Sequence, residues 1–327
     1  MASPDDNPKQ NATVVPKKVE GPEAYKYKFH DKDFLQNYHG TRVFYPFYLT
    51  IPSIEKFEAD PSDVAIVTFP KCGTTFMTAI LHMINNDASP KCMTEGPNLE
   101  TYFPYMEMCT PNMPVGARPI DRMLAMKPPR HFYTHFGWDA LPKSVIEKAK
   151  IIYVARNPKD TIVSMHHFMR ATPSAAFKGT IEETFESFVN NRCIYAPFWD
   201  HVADFWSKHK NHSNIFFTTF ERLLKDFKGE TQRLARFLGK EFTDEQLDTI
   251  LFHCNFDAMK KNKLTNREAI AAAGYWDFNI SHFMRAGKVG NWKTELPPEL
   301  NKRVDEWIES EQNRLKDKLQ GLEFEYE

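Results

Sequence analysis

Short apolar runs alternate along this chain with longer stretches whose apolar residues recur at helical spacing. The first run, Val64-Ala65-Ile66-Val67-Thr68-Phe69, has strand length, and from Thr75 to Asn85 the residues Phe76, Met77, Ile80, Leu81 and Ile84 fall on one helix face. A strand, a tight loop and a helix are predicted. The grammar recurs at Lys150-Ile151-Ile152-Tyr153-Val154-Ala155. There Asn157 is placed to cap a helix, Pro158 takes its first position, and Ile162, Val163, Met165, Phe168 and Met169 share a face. A third unit runs from Asn214 to Phe220 and continues helically through Leu234, Phe237 and Leu238, with Gly239 able to end it.

Thr243-Asp244-Glu245-Gln246 has capping-box spacing ahead of Leu247, Ile250 and Leu251, and Leu300, Val304, Trp307 and Ile308 mark an amphipathic helix near the C-terminus. Aromatic-rich helices are expected between Ile181 and Trp206. Strands interleaved with helices predict an α/β fold, with a central, mostly parallel sheet covered on both faces. Ligands of such sheets bind beyond the carboxyl ends of the strands. Residues 1–24 read as a mobile polar tail, and a single domain is expected over 25–327, with packing beginning around Phe44, Tyr45, Phe47 and Tyr48.

Composition narrows the class. The 42 Lys plus Arg against 43 Asp plus Glu leave a net charge of −1, which disfavours a nucleic-acid partner, and 42% hydrophobic residues suffice for a sizeable core. The five cysteines are scattered without a CxxC pair, as expected of reduced thiols in a cytoplasmic protein. The N-terminus has neither signal-peptide nor presequence character, and no apolar run approaches the roughly 18 residues of a membrane span, so no membrane partner is expected. The sequons at Asn11, Asn211 and Asn279 then carry little weight.

Three loops carry chemistry. In Phe69-Pro70-Lys71-Cys72-Gly73-Thr74-Thr75-Phe76 a glycine and small side chains turn a strand directly into a helix start, where converging N–H groups and Lys71 could hold a phosphate. An ordinary turn with a surface lysine is the alternative. The spacing is not that of a Walker A loop, which disfavours a kinase or ATPase. Arg156 follows the second strand, free either to fork onto a phosphate or to pair with Asp160, and Ser164 lies about two turns into the next helix. The stretch from Phe283 to Lys293 holds two glycines and three cations, which fits a basic loop over an anion or a plain surface turn.

Together and in this order, the three segments resemble the 5′-phosphosulfate loop, the 3′-phosphate segment and the RKGxxGDWK motif of the cytosolic sulfotransferases, which use 3′-phosphoadenosine 5′-phosphosulfate (PAPS) as donor and leave PAP. The resemblance runs from about Tyr45 to Trp307. It implies that Lys71, Thr74, Thr75 and the backbone at Cys72 and Gly73 hold the phosphosulfate. It gives Arg156, Ser164, Arg285 and Gly287 to the 3′-phosphate and Phe76 and Phe256 to the adenine faces. Phe220, Cys254, Met284 and Ala286 would complete the nucleotide side. His135, at the position of the family's histidine in KTHL, is implied as general base, with no metal required. His166 and His167 are too unaccompanied to suggest a metal site.

This chain departs from the family where charge matters. Tyr133 stands where the family has a lysine two residues before the base, Ala286 where a lysine follows Arg285, and Asn291 where an aspartate precedes Trp292. Lys127 or Arg130 is a possible substitute cation. Pro297-Pro298 and Lys302 do not match the usual dimer motif, so a homodimer is not implied. The implied acceptor is a small lipophilic molecule bearing a hydroxyl or amine, such as a phenol or sterol, in a pocket with Phe103, Tyr133, Phe136, Trp138, His166, Phe168, Tyr275 and Trp276 as candidate walls. A dehydratase working through a transient sulfate ester, and a PAP- or PAPS-binding member with weak or lost transfer, are the alternative functions.

Overall fold

The computed structural model describes residues 35–327 apart from 111, 112, 176 and 273; the tail expected over 1–24 lies outside the described residues. Strands β1 (Leu35–Tyr38) and β2 (Thr41–Phe44) form an antiparallel hairpin turned by His39 and Gly40, both with positive φ, as a two-residue hairpin requires. Strands β3 (Val64–Thr68), β4 (His131–Thr134), β5 (Lys150–Ala155) and β6 (Ile215–Thr219) form one sheet in the order β4-β3-β5-β6, every pairing parallel. β4 was not anticipated, because its four residues, His131-Phe132-Tyr133-Thr134, are too few and too polar to stand out as an apolar run.

Successive residues of these strands enter different cores. Ala65, Val67, Ile151, Tyr153, Ile215 and Phe217 join one apolar cluster, while Val64, Ile66, Ile152, Val154 and Phe216 join the other. Burial on both faces explains why the strands read as continuous apolar runs rather than alternating ones. The first cluster is covered by helices α2 (Pro158–Ala171), α3 (Ile181–Val189), α4 (Phe198–His209) and α9 (Pro298–Arg314). The second is covered by α1 (Thr74–Asn85), α6 (Phe227–Phe237) and α7 (Asp244–Cys254). The helix expected to follow β6 is two, α5 (Phe220–Lys225) and α6, because Asp226 accepts the Gly229 N–H at 3.0 Å and starts a new helix. Among the described residues no helix is long and apolar enough to cross a membrane.

The amino ends of the central strands are fastened by one buried ion pair. Asp63, fully buried, accepts the Arg130 backbone N–H at 2.7 Å and the guanidinium at 2.6 and 3.0 Å, while its own carbonyl accepts the Lys150 N–H at 2.9 Å. Arg130 is therefore spent at the end of β4 opposite His135, and Lys127 lies exposed beside that same end; neither supplies the cation considered for Tyr133. Removing one partner leaves the other charge buried without compensation. Asp63→Ala should therefore cost about 3–5 kcal/mol of stability, read as a lower urea midpoint with an unchanged slope.

Candidate functional site

Each strand of the sheet delivers one element of a single cavity at its carboxyl end. β3 leads into Pro70, Lys71, Gly73, Thr74 and Thr75, β4 into His135, β5 into Arg156 and β6 into Phe220, all lining a cavity of about 450 Å³. β3 sits between β4 and β5, so its loop occupies the point where chain connections diverge to either side, the expected ligand position in such sheets. In that loop Lys71 and Gly73 have φ of +73° and +107°, and α1 starts without a side-chain cap. An uncapped helix start leaves its first N–H groups without intrahelical partners at the cavity wall, where the helix dipole adds positive potential. A Cβ on Gly73 would lie 2.9 Å from Phe220, so only glycine allows this approach.

His135 is clamped through its backbone and its ring. Its N–H donates to Glu107 at 2.7 Å, and its carbonyl accepts from His201 Nε2 at 3.0 Å, with His201 Nδ1 in turn accepting from the Tyr153 hydroxyl at 2.7 Å. The ring Nδ1 lies 2.7 Å from the Thr68 carbonyl. A carbonyl only accepts, so the proton sits on Nδ1 and the lone pair on Nε2. Burial, with neighbouring Lys71 and Arg267 among the lesser causes, pushes this imidazole down to about 3, so it is neutral near pH 7. Burial likewise raises Glu107 to about 7.

Among the described residues, Lys71, Arg156, Arg267 and Arg285 line the cavity against one carboxylate on its wall, Glu100. Burial, then the charges of Arg267, Arg156 and Arg285, depress the Lys71 ammonium to about 7. Its Nζ is held by aromatic faces, 4.6 Å from the Phe283 centroid and 4.8 Å from that of Phe168. Arg156 does not pair with Asp160. Its fork donates to the carbonyls of Lys71 at 3.1 Å and Lys288 at 3.3 Å, and its buried Nε has no partner among the described residues. Asp160 instead accepts the N–H groups of Gly290 and Trp292 at 2.9 and 3.0 Å, which pins the basic loop across the cavity. Gly287 (φ +61°) presses against Phe256, where a Cβ would come within 2.0 Å of the ring.

Thr74, Thr75, Phe76, Ser164, Cys254, Met284 and Ala286 also line this cavity, as do Tyr133, Phe168, Tyr275 and Trp276. Five expected residues do not. The Cys72 side chain turns inward, 3.7 Å from Thr161 Oγ1, leaving only its backbone in the loop. Phe103 packs against His82 and His131, Phe136 against Tyr38 and Tyr195, and Trp138 against Phe205, while His166 bonds Thr184 at 3.0 Å. Other positions do the lining instead: Phe47, Tyr105, Ile194 and Tyr195 form wall near His135. Arg267 and Glu100 were also missed, since neither lies in a loop that follows a strand.

A doubly covered parallel sheet with an open, cationic helix start at its divergence point defines an enzyme of the class that handles phosphate-bearing nucleotides. The family model described as Sulfotransferase domain matches residues 61–322, and the chain belongs to that family. It is 36% identical to Sulfotransferase 1C2 of Homo sapiens over 255 residues, covering 77% of this chain and 84% of that protein. It is also 36% identical to Sulfotransferase 1B1 of Mus musculus over 261 residues, covering 79% and 85%. Among solved structures, it is similar to retinol dehydratase in complex with androsterone and inactive cofactor PAP (TM-score 0.76, 25% identity, 89% of this chain and 90% of that one). Mouse sulfotransferase SULT7A1 complexed with PAP is another (TM-score 0.68, 26% identity, 87% and 98%).

The Asp160 carboxylate is one fastening of the basic loop, through two of its N–H groups. Asp160→Asn should cost about 1.5–3 kcal/mol, the range for bonds to a charged group, and should speed hydrogen exchange at the Gly290 and Trp292 amides while leaving β3 and β5 protected.

Proposed function

We propose that this chain transfers a sulfonyl group from PAPS to a hydroxyl or amine of a small lipophilic acceptor, with His135 as general base and Lys71 stabilising the leaving phosphate. The observation that carries this reading is the convergence of the β3 loop, His135 and Arg156 on one cavity from three adjacent strand ends. The residues present fit the donor on three counts: the uncapped start of α1, the orphaned Nε of Arg156, and an ammonium surrounded by guanidinium groups without a carboxylate of its own. PAPS supplies an activated sulfonyl group on a phosphate that can leave.

The other roles belong to the chain. The α1 amides, Lys71, Thr74 and Thr75 grip the 5′ end, and Arg156, Ser164, Arg285 and the Gly287 backbone take the 3′-phosphate. Phe76 and Phe256 flank the base, with Phe220, Cys254, Met284 and Ala286 around it. His135 offers Nε2 to the acceptor's proton. Because burial and neighbouring cations disfavour its charged form, that uptake depends on negative charge brought into the cavity. Phe168, Tyr275, Tyr105 and Tyr195 give the acceptor end an aromatic lining, which suits a phenol, sterol or other lipophilic alcohol.

A second reading, transfer followed by loss of sulfate from the acceptor, is favoured by the similarity to retinol dehydratase. Product analysis separates the two: a stable sulfate ester supports transfer alone, and a dehydrated product supports elimination. Binding of PAP without turnover across a broad acceptor library would instead mark a member that has lost catalysis.

Lys71→Ala and His135→Ala should each lower turnover of an acceptor by about 10²-fold or more; normal rates in either variant would defeat its assignment. Proton linkage supplies a separate check. With Lys71 at about 7 in the free protein, the amine is largely neutral at pH 8, and a bound phosphate raises its pKa. PAP binding should then take up protons at pH 8, measured calorimetrically in buffers of different ionisation enthalpy, and Lys71→Ala should abolish that uptake.

A further inference from the structure

We infer that Arg267, held by Glu100, is a catalytic residue of this cavity that contacts the sulfonyl oxygens between Lys71 and His135. The inference rests on the sulfonyl-transfer reading above. Arg267 projects from the loop between α8 (Phe256–Lys261) and the helix Glu268–Ala272, in a left-handed conformation (φ +61°). That loop is tied down: the Leu264 carbonyl accepts the Leu99 N–H at 3.1 Å, Asn262 donates to the Met93 carbonyl at 2.7 Å, and Thr265 donates to the Met259 carbonyl at 2.5 Å. A strained residue on a fixed loop aims its side chain in one direction.

The guanidinium reaches three parts of the site at once. It donates to the Glu100 carboxylate, lies 3.4 Å from Thr75 Oγ1 of the β3 loop, and sits 4.7 Å from the centroid of Phe283, a ring that also receives Lys71. The Tyr133 hydroxyl donates to the same Glu100 oxygen at 3.3 Å. Tyr133 lies two residues before His135 and its ring centroid is 5.9 Å from the imidazole's, so Arg267 and Glu100 stand on the His135 side of the β3 loop. The charges agree. Arg267 is the foremost of the three guanidinium groups acting on Lys71, and the only one of the three that also figures among the causes acting on His135.

During transfer an S–O bond forms to the acceptor oxygen as the S–O bond to the bridging phosphate oxygen breaks. The acceptor proton goes to His135 Nε2, and the electron pair stays on the leaving phosphate. Lys71 answers charge at the leaving end. The peripheral sulfonyl oxygens need donors of their own midway, where Tyr133 offers a hydrogen bond without charge and Arg267 offers both. Glu100 is a positioning residue: it sets the guanidinium's place before the anion arrives.

The test compares PAPS with PAP, which differ by the sulfonyl group alone. Calorimetry of both ligands with the full chain and with Arg267→Gln, beside single-turnover transfer, should give a variant that binds PAP within about threefold of the parent, loses its relative affinity for PAPS, and transfers about 10²-fold more slowly or worse. Arg267→Lys, which keeps the charge, should retain the PAPS-to-PAP affinity ratio within about threefold, and it carries the comparison should the glutamine variant not fold. An unchanged ratio and rate in Arg267→Gln would overturn the inference, as would an equal loss of PAP and PAPS affinity, which makes Arg267 a phosphate ligand or a structural residue. If the parent chain binds neither nucleotide, the sulfonyl-transfer reading fails and this inference with it. If it binds both without turnover, the affinity ratio decides.

Discussion

Four cations share one small cavity, and their repulsion has to be contained before any anion can be received. The protein contains it differently for each. Arg285 is paired with Glu295 at 3.0 Å and Arg267 with Glu100, so part of their charge is met by carboxylates. Arg156 is held by two carbonyls and lies 4.5 Å from the Phe220 centroid, and Lys71 is held by aromatic faces. Dipoles and ring faces restrain a cation without cancelling it. Lys71 and Arg156 are consequently the two that no carboxylate contacts, and Lys71 meets the difficulty by yielding its proton near pH 7.

The same constraint explains the architecture behind the site. An imidazole among cations can accept a proton only if it stays neutral and keeps one nitrogen free. The Thr68 carbonyl fixes the tautomer, and the chain Tyr153 to His201 to the His135 carbonyl fixes the backbone from the opposite side. All three anchors come from the sheet or from a helix packed against it. Loops alone could not hold the geometry, which needs β3, β4 and β5 in register: Ile66 faces Tyr133 on one side and Ile152 on the other.

Much of this was legible in the sequence because local chemistry and tertiary position coincide at strand ends. Lys71, Arg156 and Phe220 each follow a run apolar enough to be a doubly buried strand, so their shared location followed from the topology. Aromatic side chains were not legible in that way. Phe136 and Trp138 follow His135 closely yet turn into the core, while Phe47 and Tyr195, distant in sequence, reach the cavity. An aromatic ring packs equally well in either place, so its type says nothing of which one it takes. Arg267 was invisible for another reason: its partner Glu100 is 167 residues away, and only the folded chain brings them together.

The carboxyl ends of the sheet carry strain, and the amino ends carry a buried fastening. Lys71 and Arg267 hold left-handed backbone at the carboxyl ends, and the Nε of Arg156 is buried there without a partner among the described residues. Each such feature costs on the order of 1–3 kcal/mol. At the amino ends Asp63 satisfies the Arg130 side chain and backbone together and ties in β5 through its carbonyl. A parallel sheet can carry this asymmetry because all its strands point the same way, gathering every amino end on one edge and every carboxyl end on the other. Unpaired polar groups at the carboxyl edge are then compatible with a stable sheet, since the Asp63–Arg130 pair ties β3, β4 and β5 together at the amino edge.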